Sequence, residues 1–160
     1  MHCPLFSSCV PIVLNFNRAL KTVSLGRNNI GNEGTAALSE ALKSNNTLET
    51  LELYENQIGV AGAQSLADIL QVNRALTTLN LASNDIGVPD GWSMERDMFG
   101  PKYKHTDGRT QGERPQGTSS GVMALAESLK VNRALASLDL RNNRIGAEGA
   151  KAIADSLPQS

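Results

Sequence analysis

The sequence is poor in aromatic residues and cysteine, and it has no excess of charge of one sign. Aromatic residues make up 4% of the 160 residues, too few for a platform that stacks nucleic-acid bases. Lysine and arginine total 15 against 16 aspartate and glutamate, so the basic surplus typical of proteins that bind nucleic acid or anionic membranes is missing. Two cysteines cannot form a disulfide framework, and we therefore expect a reducing, cytoplasmic location.

Long apolar runs are also missing. No run approaches the roughly 18 apolar residues of a membrane helix, so we expect no membrane insertion. Residues 1–13 lack the basic start of a signal peptide, and we expect a frayed or disordered tail there, with a short second tail at 158–160. His2, Cys3 and Cys9 lack the paired spacing of a zinc module, so we expect no metal site.

A period of 28 residues organises most of the chain. The pattern Leu-x-x-Leu-x-Leu-x-x-Asn-x-Ile-Gly starts at Leu48, Leu76 and Leu135, and at Leu20 with valine at its second apolar position. These starts divide the chain into four repeats, preceded by the end of a partial repeat at 14–19; the repeats are 20–47, 48–75, 76–134 and 135–157. The third spans 59 residues, which equals one repeat plus an insertion of 31.

Each repeat changes its apolar period once. Leu51-Glu-Leu53 alternates with period 2, which predicts a short strand. After Gly34, the apolar positions 37, 38, 41 and 42 lie on one face of a helix. Neither element can bury its apolar face alone, whereas stacked copies build a continuous core. The sequence therefore predicts an α/β solenoid, a horseshoe segment with parallel strands on the concave face and helices on the convex face.

This pattern closely resembles the leucine-rich repeat of the ribonuclease-inhibitor type, and its uniform Ile-Gly form resembles the tails of NOD-like receptors. The resemblance implies an intracellular protein-binding scaffold without catalysis or cofactor, with an unidentified protein as its partner. Its finer implication is a sensor segment in innate immunity. The family also includes the Ran GTPase-activating protein, so regulation of a small GTPase is an alternative, with Arg27 as the nearest candidate residue. A truncated fragment of a longer array, without an independent role, is a third interpretation.

Two sets of asparagines recur at the repeat period. In the family that the chain resembles, residues at the first set of positions turn inward and bond the loop backbone, which predicts a structural ladder of Asn28, Asn56, Asn84 and Asn143. The second set closes the helices, and we expect a left-handed conformation there because asparagine tolerates it; this set is Asn45, Asn73 and Asn132.

The polar residues between the leucines point to the concave face and form the candidate binding surface. Tyrosine and arginine are the typical anchors of interfaces, so we select Tyr54, flanked by Glu52 and Glu55, and Arg141 as a second anchor, together with Asn80 and Asp139. Four strands offer only about 330 Å² of flat face, whereas a standard interface needs about 800 Å² per partner. We therefore expect the loop edge or further repeats to contribute.

Residues 88–120, between the third strand and its helix, contain the 31 inserted residues and the two that separate the glycines in the other repeats, and they differ in composition from the repeats. This segment holds three of the six prolines and almost no branched apolar residues, which predicts a loop. Three interpretations remain open. The segment is a disordered excursion, a binding loop that uses Trp92, Phe99 and Tyr103, or a sequence foreign to the mature protein such as a translated intron.

Overall fold

The computed structural model describes residue 14 and residues 16–88, 91–112 and 120–157. The predicted tails at 1–13 and 158–160, with His2, Cys3 and Cys9, lie outside these residues. The described elements are, in chain order, β1 (Thr22–Ser24), α1 (Gly31–Ser44), β2 (Thr50–Glu52), α2 (Val60–Val72), β3 (Thr78–Asn80), β4 (Trp92–Asp97), β5 (Gly100–His105), β6 (Thr110–Gln111), α3 (Ser120–Val131), β7 (Ser137–Asp139) and α4 (Gly146–Ser156). None of the helices in this part of the chain has the length and apolarity to cross a membrane.

The repeats form one parallel sheet in the order β1-β2-β3-β7. Thr22, Thr50, Thr78 and Ser137 are register partners on successive strands, so equivalent repeat positions lie side by side. Each strand connects to the next through a helix, as a parallel pair requires, and neighbouring helices pack on one another. The predicted α/β solenoid is confirmed.

The core lies between the strands and the helices. The inward leucines of the two central repeats are fully buried, and they are Leu48, Leu51, Leu53, Leu76, Leu79 and Leu81. The equivalent residues of the first and last repeats, such as Val23 and Leu138, are only partly buried because each has a neighbouring repeat on one side. Burial of a leucine stabilises the fold by about 1.5–3 kcal/mol, so the two central repeats carry most of the stability.

Asn56, Asn84 and Asn143 are buried and bond the loops of two successive repeats. The Oδ1 of Asn84 accepts from the N–H groups of Asn56 and Ile58, both at 2.9 Å. Its Nδ2 donates to carbonyl oxygens of its own repeat and to that of Leu53 in the preceding one, at 3.0 Å. These contacts satisfy loop backbone groups that water cannot reach, so the asparagines fix the path of each loop.

The asparagines that follow the helices form a second ladder, and their predicted left-handed conformation is wrong. Asn45 and Asn73 have extended backbones, with φ of −81° and −73°. The Oδ1 of Asn73 accepts from the N–H groups of Ala75 and Leu76, while its Nδ2 donates to the carbonyl of Leu42 in the preceding repeat at 2.8 Å. The side chain makes the hydrogen bonds that stabilise the turn, so the backbone can continue directly towards the next strand.

The start of the chain joins this second ladder. Asn17 accepts from the N–H groups of Ala19 and Leu20 at 2.9 and 2.8 Å, as the later asparagines do in their own repeats. Asn45 donates to the carbonyl of Leu14, whose side chain is 2% exposed. Leu14 and Asn17 therefore have the contacts that the end of a repeat has.

The insertion contains a small antiparallel sheet where we had predicted an irregular loop. Strand β4 pairs with β5, and β5 pairs with β6, whereas residues 89–90 and 113–119 lie outside the described range. A hairpin is held by main-chain hydrogen bonds and can form with few branched apolar side chains, so the composition of the insertion did not predict it. Val88 follows Ile-Gly in the third repeat, as Val60 does at the start of α2 in the second repeat. The insertion follows Val88, and the helix of the third repeat, α3, begins at Ser120.

Candidate protein-binding face

The outward side chains of β1, β2, β3 and β7, with the second residue after each strand, form a continuous surface that we call the strand face. One row across it consists of register partners, and these are Ser24, Glu52, Asn80 and Asp139. Adjacent members lie one strand spacing apart, about 4.8 Å. Every predicted partner-binding residue lies on this face, apart from Glu55, which lies beside it at the edge formed by the loops.

Tyr54 is held against the backbone of the first repeat. Its ring lies across Gly26, where an added Cβ would be 2.2 Å from the ring. The Arg27 guanidinium lies 6.0 Å from the ring centroid and donates from Nη2 to Glu55 at 3.1 Å. The Glu55 carboxylate raises the pKa of the Arg27 guanidinium above its usual value. Tyr54 is therefore a half-buried side chain in a defined position, which suits an interface anchor.

The other predicted residues are also tied to neighbours. The hydroxyl of Ser24 donates to Glu52 at 2.7 Å, and the side-chain oxygen of Asn80 accepts from the N–H of Ala82 at 3.0 Å. Arg141 donates to both carboxylate oxygens of Asp139, at 2.7 to 3.0 Å. These hydrogen bonds lower the pKa of the Asp139 carboxyl, so this pair stays ionised at neutral pH.

A polar cleft of about 1080 Å³ lies between the loop edge and β4 of the insertion. It is lined by Glu55, Gln57, Ser83, Asn84, Asp85, Glu95, Asn142 and Arg144. Five of these have a left-handed backbone with φ between 53° and 59°, namely Glu55, Gln57, Ser83, Asn142 and Arg144. The asparagine ladder holds the loops in this conformation, so the lining side chains have fixed origins. This cleft was not predicted from the sequence, because β4 was not predicted.

The three aromatic candidates of the insertion have different surroundings. Trp92 packs edge-on against His105, with ring centroids 5.0 Å apart, and it lies under the Arg109 guanidinium. Tyr103, on the central strand β5 of the small sheet, is 3% exposed, so its ring does not offer the surface that the binding-loop interpretation needs. Phe99 is 86% exposed at the turn between β4 and β5, and Met98 beside it, which was not among the predicted binding residues, is 90% exposed.

The described residues contain no group of three or more histidine, cysteine, aspartate or glutamate side chains placed to hold a metal ion. Asp107 lies beside His105 at 2.8 Å and Arg109 at 2.7 Å, a compact network of the small sheet. Hydrogen bonds from the Arg109 backbone and from both side chains lower the pKa of the Asp107 carboxyl. This network fixes the loop between β5 and β6.

The chain matches the sequence model of the leucine-rich repeat at residues 16–39, 44–67, 72–91 and 131–154, which together make up more than half of its length. Among curated protein sequences, none matches the chain. Among solved structures, the actin-binding site 2 of leiomodin-1 is similar, with a TM-score of 0.66 and 19% identity over 91% of this chain and 69% of that one.

The tropomodulin C-terminal domain of Caenorhabditis elegans is similar as well, with a TM-score of 0.50 and 15% identity over 91% of this chain and 87% of that one. At these identities the similarity shows a common fold. The ribonuclease-inhibitor and NOD-like subtypes stay predictions, whereas the repeat itself is established by sequence and by structure. The chain belongs to the leucine-rich repeat family.

Proposed function

We propose that the strand face binds a protein partner by rigid presentation, without catalysis by the chain itself. The observation that carries the proposal is the position of Tyr54, whose ring is fixed between Gly26 and Arg27. A side chain that is ordered before binding loses little entropy on binding. The face is completed by Glu52, Glu55, Asn80, Asp139 and Arg141, each of which has a described neighbour on the face.

More specifically, we propose a sensor role like that of NOD-like receptor tails, because such a role would use the same face. The similar leiomodin-1 structure is an actin-binding site, which supports protein binding as a use of this fold. Actin is therefore a reasonable first purified protein to test. A cytoplasmic location fits the scarcity of cysteine.

Regulation of a small GTPase is not favoured. Arg27, the nearest candidate for such a role, is ion-paired with Glu55 at 3.1 Å and packs over Tyr54. An arginine that stabilises a phosphoryl-transfer transition state must reach the substrate. We therefore assign Arg27 to positioning the tyrosine.

The test compares capture of partner proteins from cell extract by the immobilised full chain and by its variants Tyr54→Ala and Glu52→Lys. We expect each variant to retain at most a tenth of a specific partner, because a buried interface anchor contributes about 2 kcal/mol or more. Lys130→Ala is the matched control, since Lys130 lies on α3 and only pairs with Glu127. Equal capture by the wild type and both face variants would contradict the proposal.

A further inference from the structure

We propose that the cleft between the loop edge and the inserted hairpin holds an extended segment of the protein partner. That segment carries a basic side chain that reaches Glu95 and, about three residues away, an apolar side chain that packs on Met98 and Phe99. The inference rests on the proposed function of the strand face and extends it, because it assigns a role to the insertion and a chemistry to the partner.

The lining of the cleft favours a peptide over a small molecule. The eight described lining residues are all polar or charged, whereas pockets for small molecules are lined mostly by apolar and aromatic side chains. A peptide main chain presents donors and acceptors along its whole length. Side-chain carbonyls and hydroxyls such as those of Gln57, Ser83 and Asn142 match such a ligand.

On the strand face and in the described lining of the cleft, the charges without an ion pair are negative; Lys102, the register partner of Glu95 on β5, is not among the lining residues. Each cation of the strand face and loop edge already has an acidic partner, and the pairs are Lys21–Glu49, Arg27–Glu55, Arg141–Asp139 and Arg144–Asp85. In the part of the chain that the structure describes, Glu52 and Glu95 have no ion pair. Glu52 lies on the strand face and Glu95 on the opposite wall of the cleft. A partner with a basic side chain is complementary to both.

The tip of the hairpin supplies a second, independent contact. Met98 and Phe99 are adjacent, and both are almost fully exposed. Single exposed apolar residues are normal, whereas two large adjacent ones at the turn of a hairpin form a small apolar patch that a partner can cover. Met98 follows Glu95 by three residues, about 10 Å along a strand. An extended peptide covers that distance in about three residues, which sets the spacing of the expected motif.

The area of the strand face also leaves room for the insertion to contribute to the interface. The strand face of about 330 Å² is less than half of the roughly 800 Å² that a partner usually covers. The cleft shares Glu55 with the edge of the strand face, so a partner can continue from one into the other. A partner that uses the cleft and the hairpin tip makes up the difference.

The test is selection from a random dodecapeptide library displayed on phage, with the full chain as the immobilised target. We expect enrichment of peptides with lysine or arginine three positions from leucine, methionine or phenylalanine. For a synthetic peptide of the enriched sequence, Glu95→Gln should weaken binding about fivefold. Phe99→Ala should weaken it at least tenfold, and Glu127→Gln on α3 should leave it unchanged. Thermal unfolding shows that the variants are folded.

The proposal is overturned if no peptide is enriched, if the enriched peptides lack a basic residue, or if Glu95→Gln binds as well as the wild type. These failures differ from failure of the proposed function. If Tyr54→Ala still loses the extract partner while the selection shows no basic preference, the strand face binds without the insertion. If Tyr54→Ala has no effect on capture, the proposed function itself fails.

Discussion

Asn84→Ala is expected to lower the free energy of unfolding by about 3–5 kcal/mol. The substitution removes an amide that accepts two backbone N–H bonds and donates to three carbonyls, in a side chain that is 2% exposed. The N–H groups of Asn56 and Ile58 would remain buried without a partner, and each such group costs about 1–3 kcal/mol. Urea unfolding followed by circular dichroism measures the loss.

Asn28→Ala is the matched control for this prediction. Asn28 has the same repeat position but is exposed, and its amide donates only to the carbonyls of Leu25 and Gly26. We expect a loss of about 1 kcal/mol or less, since water can replace these bonds. Equal losses for the two variants would show that the ladder does not depend on stacking between repeats.

Gly87→Ala is expected to destabilise the fold by about 2–3 kcal/mol. A Cβ at this position would lie 2.4 Å from the carbonyl oxygen of Arg144 and 2.5 Å from that of Asn143. Both are backbone atoms of a loop that the Asn143 side chain holds in place, so they cannot move away cheaply. The substitution would also strain the hydrogen bond from the Gly87 N–H to the Asn143 carbonyl. The thermal midpoint and the urea midpoint should both fall.

Gly112→Ala provides the comparison for the glycine variant. Among the described residues, nothing lies within 4 Å of a Cβ at Gly112. We expect a change within about 0.5 kcal/mol, because the substitution then acts mainly on the unfolded chain. A neutral Gly87→Ala would mean that the third and fourth repeats are less closely packed than the structure shows.

The sequence predicted those parts of the fold that follow from periodicity. Alternation around Leu51 and the helical spacing around Leu38 each predict which face is buried, and repetition every 28 residues aligns the copies. Register followed from the same argument, since Glu52 and Asn80 occupy one repeat position and become neighbours on adjacent strands. Repetition thus converts local patterns into tertiary contacts.

Periodicity could not predict the other features of the fold. The second ladder was visible as a recurring asparagine, but the choice between a left-handed backbone and a side-chain bridge depends on the preceding repeat, as Asn73 and Leu42 show. The hairpin occurs once, so no period could indicate its strands. Its arrangement decides that Tyr103 is buried while Phe99 is exposed, and composition treats the two aromatic residues alike.

Photo-crosslinking from the centre of the strand face tests the central claim most directly. Thr78 lies in the middle of the sheet, between Thr50 and Ser137, and its side chain is half-buried. With a benzophenone amino acid at position 78, irradiation in extract should yield a covalent adduct with a protein partner. The same group at position 130 on α3 should yield none. Adducts from position 130 and not from position 78 would place the binding surface on the helices and contradict our account.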